Sequence, residues 1–120
     1  MLSPYWYYVD DTNQCYRLDF LDLTHRNFDE HEGVYIIFYR EDRYIYTVYA
    51  GKGIIRDRFY AHRTDNRIQA YASKILYATW ANVSLQDQDG IEAYLHQKLR
   101  PIVSDRAPTA NPIPVRLPWE

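Results

Sequence analysis

The chain has 120 residues, which suits one domain, and its 47% hydrophobic content is sufficient for a single core. A formal net charge of −2 argues against a protein that coats nucleic acid nonspecifically. The lone Cys15 excludes an internal disulfide, and no signal peptide or membrane-spanning run is visible, so we expect a soluble cytoplasmic protein with no membrane contact.

The charges are unevenly distributed along the chain. Residues 1–32 hold seven acidic side chains against two arginines, a balance of −5. Residues 51–74 hold six lysines and arginines against two aspartates, a balance of +4. This basic segment could bind phosphate, although a solvated helix face gives the same pattern.

The predicted strands form a mixed α/β (α+β) domain with a small antiparallel sheet of about three strands flanked by helices. Residues 5–9 and 14–20 flank a turn-forming cluster and predict an extra N-terminal β-hairpin. Residues 33–39 and 44–50 predict a second hairpin that is apolar on both faces, as in the centre of a covered sheet. Residues 77–85 have strand character and complete the sheet.

Three helices are predicted around this sheet. Four-residue spacings from Ile55 onward predict a helix of roughly three turns after Gly51-Lys52-Gly53. The apolar stripe in residues 67–76 predicts an amphipathic helix. A third helix is expected to begin near Ile91 and to end at Pro101, where a proline-rich, irregular tail begins.

Several short motifs resemble a known family. Gly33-Val34-Tyr35, followed after thirteen residues by Tyr49-Ala50-Gly51, resembles the paired elements of the GIY-YIG nucleases. Arg58 with His62 four residues later resembles that family's motif helix. Glu92, in a run that ends at a proline, resembles the glutamate of its last motif helix, and Asn111 corresponds to the asparagine that usually follows. The order and spacing agree over residues 33–111, about two thirds of the chain.

The resemblance implies a GIY-YIG type fold and a metal-dependent endonuclease that hydrolyses phosphodiester bonds in DNA, with a role in repair or recombination. Residues 33–111 would be the catalytic domain, 1–32 an N-terminal extension and 112–120 a proline-rich tail. One Mg²⁺ or Mn²⁺ ion would be held by Glu92, since hard cations prefer oxygen ligands. The implied catalytic residues are Tyr35, Tyr49, Arg58, His62 and Glu92. The expected contacts to substrate phosphates are Lys52, Arg56, Arg63 and Asn111.

The individual roles follow from side-chain chemistry. Arg58 would stabilise the charge on the phosphate with its planar fork of donors, and Tyr49 would form hydrogen bonds near it. Either Tyr35 or His62 would be the general base, and the sequence leaves both open. His96, four residues beyond Glu92, is expected to be exposed, with a contact to Glu92 as the alternative.

Two other functions fit the same residues. The first is a catalytically inactive module that binds nucleic acid or a protein on the same fold. The second is a small regulator in which the acidic residues 1–32 imitate nucleic acid and block a site. For the nuclease, specificity would have to come from the N-terminal hairpin, the tail, a homodimer or a partner protein.

Overall fold

The computed structural model describes residues 1–8, 16–106 and 108–120. Four antiparallel strands form one sheet in the order β1-β4-β2-β3, which confirms a mixed α/β domain. No helix in the described ranges is long and apolar enough to cross a membrane. The strands are β1 (Trp6–Tyr7), β2 (Glu32–Glu41), β3 (Tyr44–Ile54) and β4 (Tyr77–Asn82). The helices are α1 (Ile55–Arg63), α2 (Asn66–Gln69) and α3 (Leu85–Leu99), with 3₁₀ turns at Arg26–Phe28 and Ala72–Lys74.

The central hairpin of β2 and β3 is confirmed. Its two-residue turn, Asp42 and Arg43, has φ angles of 52° and 74°, the pair of positive values that a type I′ turn requires. The ladder then runs from this turn to the pair Glu32 and Ile54, with an irregularity between Ile37 and Phe38. Because β3 extends to Ile54, Gly51-Lys52-Gly53 lies within the ladder and not in a loop before α1.

The sheet separates two cores because successive side chains of a strand point to opposite faces. On one face Tyr35 and Ile37 pack with α1 and with the residues that precede β2. On the other face Val34 and Ile36 pack with α3 and with the C-terminal residues 115–117. Residues assigned to an extension and a tail therefore complete both cores.

Among the described residues, the predicted N-terminal hairpin is replaced by separate pairings with β4; residues 9–15 of the prediction lie outside the described ranges. β1 pairs with β4, and Arg17 also forms a bridge with Tyr77 of β4. Both segments thus use the same free edge of β4 instead of pairing with each other. The reason is that this edge offers unpaired backbone groups, and Ala78 N–H donates to the Tyr16 carbonyl over 2.8 Å.

The single helix predicted for residues 67–76 is also wrong. α2 ends at Gln69, and the N–H groups of Tyr71, Lys74 and Ile75 each bond to the carbonyl three residues earlier, as in 3₁₀ turns. Ile75 has φ 62°, a left-handed conformation that reverses the chain into β4. Tertiary packing overrides the apolar stripe here, since Ile68 is buried while Ile75 stays 39% exposed.

Helix α3 begins six residues before the predicted start. Ser84 is the N-cap residue, but its side chain makes no capping hydrogen bond to the backbone; its hydroxyl donates to the Asp87 carboxylate over 3.1 Å. Gly90 therefore lies inside the helix, where a Cβ atom would stand 2.5 Å from the Ile113 side chain. Its role is close packing of the tail on α3 and not a turn. The predicted end before Pro101 is confirmed, because Arg100 caps α3 in the left-handed conformation with φ 48°.

Candidate active site

The Tyr35 hydroxyl joins β2 to helix α1. Its oxygen lies 2.5 Å from His62 Nε2 and accepts a hydrogen bond from Arg58 Nε over 3.1 Å. Arg58 and His62 are four residues apart, so they lie on one face of α1, and that face turns toward Tyr35. The structure thus brings these three predicted residues together in one hydrogen-bonded chain.

Two glycines of β3 make room for this chain. A Cβ atom on Gly51 would stand 2.5 Å from the Tyr35 hydroxyl oxygen, so the phenol ring can cross β3 only because residue 51 has no side chain. Gly53 has φ 131°, and a Cβ there would press on the aliphatic part of Arg58 at 3.3 Å. Gly51 and Gly53 are therefore needed to place Tyr35 and Arg58, and not to form a phosphate-binding loop.

Burial sets the protonation states of the pair. Tyr35 is fully buried, and desolvation raises the pKa of its phenol well above the ordinary value, against the opposing effect of the Arg58 hydrogen bond. Desolvation, with a second contribution from the Arg58 charge, lowers the pKa of His62 to about 4. Near neutral pH both groups are neutral, so Tyr35 can donate its proton to Nε2 while its oxygen accepts from Arg58. His62 Nδ1 is buried and has no partner among the described residues.

Tyr49 lies beside this chain. Its ring stacks on Tyr35 with centroids 6.1 Å apart and lies 4.4 Å from the His62 ring centroid. Its hydroxyl donates to Asp105 Oδ2 over 2.7 Å. Desolvation and the hydrogen bond to Asp105 raise the pKa of Tyr49 to about 12, so the hydroxyl is a donor at neutral pH.

Glu92 lies on α3, on the opposite face of the sheet, beside an open cleft of about 390 Å³. Partial burial raises the pKa of its carboxyl, and the Lys52 and His96 charges act in the opposite direction. Glu92 is in the middle of α3, so the prediction that it lies in a helix's first turn is wrong. The lining residues of this Glu92 cleft are Lys52, Asp89, Glu92, Arg106, Pro108, Thr109 and Ala110.

The two faces meet at the edge of the sheet. β3 is the edge strand, so side chains on both of its faces can reach a molecule that lies along that edge. Electrostatic interactions extend from one face of the sheet to the other. Desolvation is the main cause of the raised pKa values of Tyr35 and Tyr49, and the Glu92 charge contributes to both. Tyr35, Tyr49, Arg58 and His62 therefore lie together beside Gly51 on one face of the sheet, and Glu92 lies on the other face.

Two carboxylates, Glu92 and Asp89, line the cleft, and that of Asp89 is paired with Lys52. No group of three histidine, cysteine or acidic side chains suited to an ion occurs among the described residues. Within those ranges the Glu92 carboxylate accepts no hydrogen bond. A free, partly buried carboxylate beside a cleft fits a hard cation that takes its other ligands from water and substrate.

The predicted phosphate contacts divide into two groups. Lys52 lines the Glu92 cleft, where its ammonium pairs with Asp89. The prediction that Arg56 and Arg63 contact phosphates is corrected. Their guanidinium groups donate to backbone carbonyls of the segment before β2, and neither residue lines the cleft. Asn111 is exposed, and its carbonyl packs against Gly90 of α3, outside the lining of the cleft.

His96 also departs from the expectation of an exposed side chain. Its Nε2 atom lies 2.9 Å from the carbonyl oxygen of Ala50, in a partly buried position. The imidazole therefore links α3 to β3 next to Gly51. The His96 charge also acts to lower the pKa of Glu92, against the larger effect of burial.

Three residues near the site were missed from the sequence. Asp105 and Arg106 follow α3, and Arg67 lies in α2; Arg67 donates to Asp105 Oδ1 over 2.7 Å. Asp105 reaches Tyr49 across 56 residues of sequence. Only the charged pair Asp105-Arg106 in an otherwise apolar and proline-rich stretch could have drawn attention to it.

No family model, curated protein or solved structure matches this chain.

Proposed function

We propose that this protein is a metal-dependent nuclease of the GIY-YIG type that hydrolyses phosphodiester bonds in DNA. One observation carries the proposal: the Tyr35 hydroxyl lies between the cationic Arg58 and the neutral His62, and a free carboxylate, Glu92, stands across the same strand edge. A base relay, a phosphate-binding cation and a metal ligand are the groups that phosphodiester hydrolysis requires.

The substrate would lie along the edge of β3 near Gly51, beyond Thr47 and Val48, whose carbonyls bond to residues 102 and 103. Its scissile phosphate would take hydrogen bonds from the terminal nitrogens of Arg58, because Arg58 Nε is already used by Tyr35. Lys52, at the cleft, would add positive charge from the other face. The arrangement orients the phosphate between the two faces before any bond changes.

The proton path starts at the attacking water. The water oxygen bonds to phosphorus as its proton moves to the Tyr35 oxygen and the Tyr35 proton moves to His62 Nε2. The bond from phosphorus to the 3′ oxygen breaks, and this oxygen takes a proton from solvent. A divalent ion on Glu92, when bound, would supply Lewis-acid stabilisation of the charge on the phosphate and the leaving oxygen.

In this proposal Tyr35 and His62 share the role of general base. Neither group serves well as a base alone, since the raised pKa of Tyr35 keeps its phenol protonated near neutral pH and the lowered pKa of His62 makes its imidazole a weak base. The Arg58 charge contributes to the low pKa of His62. A bound phosphate offsets that charge, so the pKa of His62 rises when the substrate arrives.

A second candidate is a catalytically inactive module that binds nucleic acid or a protein partner through the same edge. The observation that favours it is the burial of Tyr35, at 0% exposure, and of His62, at 2%. In the inactive module, the hydrogen bond between Tyr35 and His62 only stabilises the packing of α1 on β2, and no water reaches the Tyr35 phenol.

The deciding experiment compares wild type with Glu92→Gln on labelled linear duplex, branched and single-stranded DNA and on RNA. Each combination of protein and nucleic acid is incubated with Mg²⁺, with Mn²⁺ or with EDTA. Metal-dependent cutting by wild type and a loss of about 10²-fold or more in Glu92→Gln is expected, since the variant lacks the charged ligand.

Glu30→Gln is the matched control, because Glu30 is an exposed carboxylate in the segment before β2 and its change should leave cutting intact. Equal cutting by wild type and Glu92→Gln contradicts the proposed site. If wild type binds nucleic acid but cuts none of the substrates with either metal, the binding module is the better description.

A further inference from the structure

Asp105 occupies two donors next to the proposed catalytic residues. Its Oδ2 accepts from the Tyr49 hydroxyl and its Oδ1 from a terminal nitrogen of Arg67, each over 2.7 Å. A phosphodiester, like a carboxylate, carries one negative charge and presents two oxygens. The two donors are therefore arranged to bind one backbone phosphate as well as they bind Asp105.

The pair of donors is held in place without Asp105. Arg67 is fixed on its other side by Asp65, which accepts from Nε over 3.1 Å and from the second terminal nitrogen over 2.7 Å. The Tyr49 ring packs against both Tyr35 and His62. Release of Asp105 would therefore leave a preorganised donor pair and not two mobile side chains.

Asp105 itself can leave at low cost. It belongs to the connecting segment, residues 100–106, which lies along the edge of β3 through the N–H groups of Ile102 and Val103. These bond to the carbonyls of Thr47 and Val48 over 3.0 and 2.8 Å and hold the segment independently of the carboxylate. The Asp105 side chain is 54% exposed and can rotate into solvent.

We propose that Tyr49 and Arg67 bind a second backbone phosphate of the nucleic acid, next to the scissile one, and that Asp105 fills this position in the free protein. This inference rests on the proposed function. Asp105 acts as an internal competitor that weakens binding, so a nucleic acid must displace it. Arg67 is a substrate-binding residue, and Tyr49 contacts the substrate from the position where it now donates to Asp105.

Salt dependence distinguishes this competition from an ordinary ion pair. Binding a phosphate to a free arginine releases about one counterion from the nucleic acid. When the phosphate replaces Asp105, the released carboxylate takes up a cation, and the net release is smaller. Removal of the carboxylate should therefore steepen the plot of log affinity against log salt by about one.

The experiment measures the anisotropy of labelled duplex and single-stranded DNA and of RNA with the full chain, in EDTA, over a series of KCl concentrations. Asp105→Asn and Asp105→Ala should both bind the preferred substrate about tenfold more tightly than wild type and show the steeper slope. Asp19→Asn is the matched control: it removes one negative charge from an exposed ion pair with Arg17. Its slope should equal that of wild type.

Addition of Arg67→Gln to Asp105→Asn should abolish both the gain in affinity and the added slope. Thermal unfolding of each variant checks that the fold is retained. If Asp105→Asn and Asp105→Ala match Asp19→Asn, or bind more weakly than wild type, the internal competitor is overturned while the nuclease proposal stands. If wild type and all variants bind no nucleic acid at low salt, the proposed function fails, and this inference fails with it.

Discussion

The basic side chains of helix α1 form hydrogen bonds in two different environments. Arg58 and His62 turn to the sheet and meet Tyr35, where their hydrogen bonds belong to the proposed site. Arg56 and Arg63 turn to the segment before β2 and donate to its backbone carbonyls. All four lie within one basic segment of the sequence, yet only Arg58 and His62 belong to the site proposed to act on a phosphate.

The difference between the two sides of α1 lies in the acceptors that each side meets. A guanidinium that finds buried carbonyls replaces their lost contacts to water and becomes part of the core. A guanidinium whose fork is only partly used keeps donors for a ligand. Substitutions on the two sides should therefore separate activity from stability.

The largest expected effect is on activity, in Arg58→Gln. The cleavage rate at saturating metal should fall by about 10²- to 10³-fold, because the variant lacks the charge that stabilises the transition state. The free energy of unfolding should change by no more than about 1 kcal/mol, since Tyr35 keeps His62 as a partner. Single-turnover cleavage and urea unfolding of the same preparations provide both measurements.

The comparison with the other side of α1 supplies the control for Arg58→Gln. Arg63→Gln removes the same charge one turn further along the helix, and its cleavage rate per folded molecule should equal that of wild type. Equal loss of rate in both variants would show that net charge, and not the position of Arg58, determines catalysis.

The next effect is a pH dependence of stability that comes from His62. Its pKa is about 4 in the folded protein, below the ordinary histidine value of 6.5 that applies to the unfolded chain. Between these values the unfolded chain binds a proton that the folded protein does not, so stability present above pH 6.5 is lost as the pH falls toward 4. The loss amounts to about 3 kcal/mol.

His62→Gln should lack this component. Its free energy of unfolding, measured in urea at several pH values between 7 and 4, should fall less steeply than that of wild type. Other groups with lowered pKa values, such as Asp65 and Asp105, remain in both proteins, so the difference between the two curves isolates His62. Parallel curves would mean that the imidazole is not buried in its neutral form.

The parts of this fold that the sequence predicted are those with one dominant local signal. The hairpin of β2 and β3 follows from two long apolar runs around a charged turn, and its pairing is confirmed. The four-residue spacing of Arg58 and His62 placed them on one helix face, which is where they lie. Such signals depend on neighbours within a few residues, which the sequence contains in full.

The errors have a common cause in contacts between distant residues. The N–H group of Ile113 in the tail bonds to the Gly90 carbonyl, which explains a glycine inside α3, a helix that was expected to begin only near Ile91. β1 and Arg17 both pair with the edge of β4, where the sequence predicted that their segments would pair with each other. Asp105 and the carbonyls that bind Arg63 are likewise set by tertiary structure, and no spacing rule identifies them.

The smallest expected effect is a decrease in the free energy of unfolding in Arg63→Gln. Arg63 Nε donates to the Leu18 carbonyl over 2.8 Å, and a terminal nitrogen donates to the Leu21 carbonyl. The glutamine is too short to reach both carbonyls, so the free energy of unfolding should fall by about 2 kcal/mol, the range for losing charged hydrogen bonds to partly buried acceptors. Arg26→Gln, at an exposed position in the segment before β2, is the matched control and should change stability by less than about 0.5 kcal/mol. If Arg63→Gln is as stable as Arg26→Gln, the segment before β2 does not depend on α1, and the division of α1 into a structural and a catalytic side is wrong.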